Sequence, residues 1–242
     1  ALGRPRPVYR LPPSQLCADA SAVQPLPPAP VSRWQQVVGS GSWRVGAVTA
    51  LICLDILCYS FPMPFMPEFL ASRGHTARDT SVLLSSFSFA ALASGAAIVA
   101  AQSTLPARGG DAVRRRCALL AMAAMAMAAV SAAQATLPSY GAMVVARSLQ
   151  GAISQFAWSV GLALAVSLPP IAGVAATAWA MTGNSVGAVA GPIYGAALHA
   201  VGGLRLPYLG AAAMCALTSL AFLATAAVGS APSSPTSSST SS

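Results

Sequence analysis

Residues 44–61 read Arg44-Val45-Gly46-Ala47-Val48-Thr49-Ala50-Leu51-Ile52-Cys53-Leu54-Asp55-Ile56-Leu57-Cys58-Tyr59-Ser60-Phe61. A single acid, Asp55, stands in an apolar run bordered by Arg44. As a helix, the eleven residues from Arg44 to Asp55 rise about 16 Å at 1.5 Å per residue. That depth is near the middle of a hydrocarbon layer roughly 30 Å thick. A carboxylate there costs about 2.5–3.5 kcal/mol on insertion scales. The Leu, Ile, Val and Phe around it can offset the cost, but folding alone does not call for the acid. Acids at membrane depth face a bundle interior or a water-filled path, so Asp55 is a candidate binding or proton-handling residue.

Composition supports lipid as the solvent. The 242 residues are 55% hydrophobic and only 7% charged, and the mean hydropathy is +0.66. A soluble surface needs about 25% charged residues. The acids are Asp19, Asp55, Glu68, Asp79 and Asp111, and the 13 bases are all arginines. The +8 balance does not indicate nucleic acid, because the arginines fall between apolar runs and not on one face. Cys17, Cys53, Cys58, Cys117 and Cys215 lack metal-ligand spacing and read as small buried thiols, with no disulfide framework. His75 and His199 are single, so neither a metal nor a cofactor is expected.

Six apolar runs lie at about 44–66, 81–101, 117–136, 139–168, 171–200 and 206–228. Each reaches the roughly 20 residues needed to span a bilayer. The expected fold is all-α and integral to the membrane, with six transmembrane helices. Arg4, Arg6, Arg10, Arg33, Arg44, Arg108, Arg114, Arg115 and Arg116 fall on one side of such a topology, against Arg73, Arg78 and Arg205 on the other. Nine against three places both termini in the cytoplasm, by the positive-inside rule. Residues 1–43 hold eight prolines and no apolar core, and read as a disordered cytoplasmic extension, with an organelle transit segment as the alternative. The first residue is Ala1, not Met, which reads as a processed chain or a fragment. Residues 229–242, almost all Ser, Thr and Pro, read as a disordered tail or the start of a central linker.

Four motifs sit on this frame. Pro64 and Pro67 follow Asp55 at +9 and +12 and are expected to end or bend the first helix. Arg147 lies inside the fourth run, about 12 Å along the helix from Ser139. It either snorkels outward or turns inward to pair with Asp55 or a helix-end carbonyl, with Gln150 one turn away on the same face. Gly183, Gly187, Gly191 and Gly195 recur every four residues, leaving one helix face without side chains, and Pro192 interrupts the backbone ladder among them. Gly110-Asp111-Ala112-Val113-Arg114-Arg115-Arg116 is expected as a cytoplasmic loop, in which Asp111 can clasp a helix end.

In order, these motifs resemble the N-terminal half of a major facilitator superfamily transporter. More narrowly, they look like its drug:proton antiporter branch, which includes tetracycline exporters and vesicular amine transporters. The Asp55, Pro64 and Pro67 spacing resembles that branch's first-helix motif. Val145-Ala146-Arg147-Ser148-Leu149-Gln150-Gly151 resembles the fourth-helix motif, and Gly187-x-x-x-Gly191-Pro192-x-x-Gly195 the fifth-helix motif. Asp111, Arg115 and Arg116 align with the family's loop motif, with Ala107, Ala112 and Arg114 where Gly, Arg and Gly are usual. Ile153 stands where a second fourth-helix glycine is usual.

The resemblance covers residues 44–228. It implies proton-coupled antiport of small organic compounds, cationic ones among them. Asp55, with Arg147 and Gln150, would serve substrate or proton. Pro64, Pro67 and the glycine row with Pro192 would serve conformational change, and Asp111, Arg115 and Arg116 loop gating. The implied partners are the bilayer, a small-molecule substrate, protons and a second six-helix half, since alternating access rocks one half against the other. The alternative is a transport-inactive truncated half acting as a partner or regulatory membrane subunit. An intramembrane enzyme is disfavoured, because no acid dyad, Ser/His pair or ligand cluster is visible.

Overall fold

In the computed structural model, residues 36–37, 40–102, 110–137, 139–167 and 173–228 are described. Residues 1–35 of the expected extension, the C-terminal tail 229–242, Cys17 and Arg108 lie outside them. Seven helices lie wholly within these described residues, in order: α1 Gly41–Ser60, α2 Met66–Ala71, α3 Ala77–Gln102, α4 Gly110–Gln134, α5 Tyr140–Ala165, α6 Gly173–Gly202 and α7 Arg205–Val228. Among the described residues all regular structure is helical. α1, α3, α4 and α7 are long and apolar enough to cross a membrane. α5 and α6 are as long, at 26 and 30 residues, but α5 carries Arg147, Gln150 and Gln155, and α6 is diluted by glycine, Asn184 and Pro192. The helices that fall short on hydropathy are thus the ones that carry two of the motifs.

The termini differ from the expected runs for local reasons. α1 starts at Gly41, three residues before the expected border, because the Ser40 hydroxyl accepts from the Trp43 amide and caps it. It stops at Ser60, short of the expected 66, and Phe61–Phe65 form turns. Pro64 lies in those turns and Pro67 opens α2, where a missing N–H costs nothing. α3 begins four residues early, because Thr76 and Asp79 form a reciprocal capping box: the Thr76 amide donates to Oδ2 (2.8 Å) and the Asp79 amide to Thr76 Oγ1 (3.3 Å). The expected loop 110–116 is helix. Asp111 and Arg114–Arg116 fill the opening turns of α4, with an acid where the helix dipole favours one. α6 runs on through Pro192 and ends at Gly202, followed by Gly203, whose φ of +60° suits the left-handed residue after a helix.

The most extensive pairings are α1 with α6, α3 with α5, and α4 with α7. This set maps onto itself when α1, α3 and α4 are exchanged with α5, α6 and α7, the packing of an internal two-fold repeat. Glycine makes the equivalent close approaches. A Cβ at Gly151 would collide with the Phe87 carbonyl, bringing α5 onto α3. Along α6, Cβ atoms at Gly183, Gly187 and Gly191 would collide with Thr49, Cys53 and Ser60 of α1, and one at Gly195 with Phe61 just past its end. Two apolar clusters fill the interior. One is built on Val48, Ile52, Leu120, Val160 and Phe222, the other on Leu54, Cys58, Phe61, Met127 and Tyr208. Asp55 falls in sequence between Ile52 of the first and Cys58 of the second.

Candidate functional site

Buried polar groups cluster at this seam. Asp55 is 3% exposed. Its Oδ2 accepts from the Ser154 hydroxyl at 2.6 Å and from the Trp158 indole N–H at 2.9 Å. Both donors come from α5, one turn apart, so α5 grips the α1 carboxyl by a single oxygen. Oδ1 is buried with no hydrogen-bond partner. Asp55 also lines a void of about 10 Å³ between α1, α4, α5 and α7, walled otherwise by Leu51, Leu54, Ala123, Ala124, Met127, Ile153, Ala157 and Cys215.

Arg147 turns inward and is 2% exposed. It pairs with helix-end carbonyls and not with Asp55. Nη1 donates to Cys58 O at 3.0 Å and Nη2 to Tyr59 O at 2.8 Å. The reason is written in α1. The residue four on from Cys58 is Pro62, which has no N–H, so the Cys58 carbonyl loses its helical donor. The Met63 amide, which would serve Tyr59, bonds Ser60 O at 3.1 Å instead. Arg147 takes over both acceptors, at the helix end where a cation is favoured. Phe87 and Tyr59 flank the guanidinium, with ring centroids 5.2 and 5.9 Å away.

Gln150 fixes that arrangement. Its Oε1 accepts from Arg147 Nη1 (3.0 Å) and from Gln134 Nε2 (3.3 Å), and its Nε2 donates to Ser131 Oγ (3.1 Å). The chain of contacts runs from α4 through α5 to the end of α1. Arg147→Lys is therefore expected to cost about 1.5–3 kcal/mol. An ammonium cannot reproduce the planar fork that reaches two carbonyls and an amide, and hydrogen bonds to charged groups are worth that much. A lowered melting temperature of the detergent-solubilised variant checks this; an unchanged one contradicts the fork.

A family model for the major facilitator superfamily matches residues 45–242. The chain belongs to the major facilitator superfamily. No curated protein matches it. As a major facilitator protein it is a membrane transporter, and its all-helical fold is that of one half of the family's architecture.

The sequence-derived residues of this major facilitator half fall into three places. Asp55, Arg147 and Gln150 share the buried seam. Gly183, Gly187, Gly191 and Gly195 are buried in the α1–α6 contact, while Pro192 is half-buried beside them and Pro64 and Pro67 are exposed. Asp111, Arg115 and Arg116 lie at the start of α4. Asp111 and Arg115 are exposed, and Asp111 approaches Arg114 at 3.8 Å. Arg116 donates to Ala163 O (3.0 Å) and Ser167 Oγ (3.2 Å), so it, and not Asp111, clasps a helix end.

Nothing in the sequence analysis singles out Ser131, Gln134, Ser154 or Trp158. A signal existed on α5: Arg147, Gln150, Ser154 and Trp158 step by three, four and four, a single helix face. Cys58 and Cys215, both buried, belong to the same apolar cluster beside this site.

Proposed function

We propose that this chain is half of a proton-coupled antiporter of small organic compounds, in the drug:proton branch, with Asp55 as its proton carrier. One observation carries the choice of proton over substrate. Oδ1 of Asp55 is buried and unpartnered, and the void that Asp55 lines is only about 10 Å³. That is room for about one water, and none for an organic cation. The organic substrate then binds between the two halves, where alternating access places it. Arg147 holds the end of α1 and fixes the position of Asp55 three residues before its acceptor Cys58. Both termini lie on the cytoplasmic side by the arginine count.

The test uses the full chain in proteoliposomes with tetraphenylphosphonium and a cationic dye as probes. An imposed proton gradient is expected to drive probe movement opposite to the proton, and a protonophore to abolish it. A regulatory half without transport of its own would leave probe distribution at that of empty liposomes under both conditions, which would overturn the proposal.

A further inference from the structure

The void at Asp55 has a neighbour. A groove of about 430 Å³ runs along α3, α4 and α5, with Ser94, Ile98, Leu119, Met122 and Phe156 in its walls. Two residues, Ala123 and Ile153, line both the groove and the void. Ile153 also packs against both apolar clusters. It immediately precedes Ser154, which holds the other oxygen of Asp55. Ala123 offers only a methyl group, so the bulk of the wall is the Ile153 side chain. A β-branched side chain on a helix has essentially one χ1 rotamer. Such a wall does not swing aside as a Leu or Met would.

We propose that Ile153 is a partition residue. Its side chain, with Ala123, closes the free oxygen of Asp55 to the groove between α3, α4 and α5, and so limits what reaches the carboxyl from that side to a proton or a single water. The proposal rests on Asp55 as proton carrier for its meaning, but its geometry is testable without transport.

Dicyclohexylcarbodiimide, which partitions into lipid and adds to a protonated carboxyl, is the probe. Labelling of the Asp55 peptide in the liposome-embedded full chain is followed by mass spectrometry, with Asp55→Asn as the blank. Ile153→Ala is expected to label about tenfold faster than the parent, the factor equivalent to about 1.4 kcal/mol of barrier. Ile153→Val should fall between, and it keeps the test alive if the alanine variant fails to fold. Ile153→Phe should label no faster than the parent. Equal rates in Ile153→Val, Ile153→Ala and the parent would overturn the partition. A faster Ile153→Ala, together with Asp55→Asn protein that still exchanges protons, would leave the partition standing and remove the carrier. Equal labelling, with exchange lost in Asp55→Asn, would do the reverse.

Discussion

Asp55→Asn is expected to reduce proton-driven probe exchange about a hundredfold, equivalent to about 2.7 kcal/mol of barrier, while the protein stays folded. The amide is the same size as the carboxyl. Its oxygen can accept from the Ser154 hydroxyl and the Trp158 indole as Oδ2 does now. Its nitrogen then replaces the buried, unpartnered Oδ1 in surroundings that are otherwise apolar. Leaving those donors unsatisfied costs about 1–3 kcal/mol, a loss visible as a lowered melting temperature but short of unfolding. What disappears outright is the capacity to take up and release a proton at this position. Exchange by Asp55→Asn at the parent rate, with or without its pH dependence, would remove Asp55 as carrier. Asp55→Glu supplies the complementary case. It keeps the acid but adds a methylene to a site with about 10 Å³ to spare, so overpacking is expected to cost about 1–3 kcal/mol and to leave partial exchange.

The long helices and the burial of Asp55 were legible, because apolar run length and a lone acid are local properties. The inward turn of Arg147 was legible as one of two options. What decided it was Pro62: a missing donor four residues after Cys58 predicts an orphan carbonyl, and Arg147 is a buried cation able to meet it. The grip of Ser154 and Trp158 on Asp55 was not legible. It depends on how α5 is rotated against α1, and serine is too common on these helices to mark a partner. Ile153 read only as a departure from a glycine motif; it took the two cavities on either side to show it as a wall. The stretch 110–116 reads as a loop because arginines cluster at membrane boundaries, yet Asp111 in the first turn and good helix-forming arginines after it carry α4 outward past the apolar run.

Gly187→Val is expected to destabilise the protein by about 3 kcal/mol or more, the upper range for overpacking, and Gly187→Ala by about 1–3 kcal/mol. The added Cβ meets the Cys53 carbonyl oxygen, with the Cys53 carbonyl carbon and Ile56 Cβ at 3.1 Å. A side-chain tip could rotate away; a backbone carbonyl within a helix cannot. α1 cannot retreat either, because Ser154 and Trp158 hold Asp55, and Arg147 holds Cys58 and Tyr59, from the α5 side. Gly46 is the matched control on α1 itself. A Cβ there meets nothing within 4 Å, so Gly46→Ala should be neutral or gain up to about 1 kcal/mol from helix propensity. Thermal unfolding of the three variants side by side separates the cases. Equal stability of Gly187→Val and Gly46→Ala would mean that α1 and α6 do not meet in this register. If the predicted order holds, α1 is clamped on one side by bare glycine contacts and on the other by hydrogen bonds to one carboxyl oxygen. A proton arriving at the free oxygen then changes only the second clamp, and the glycine face, which has no side chains to interlock, is the surface along which α1 is free to slide.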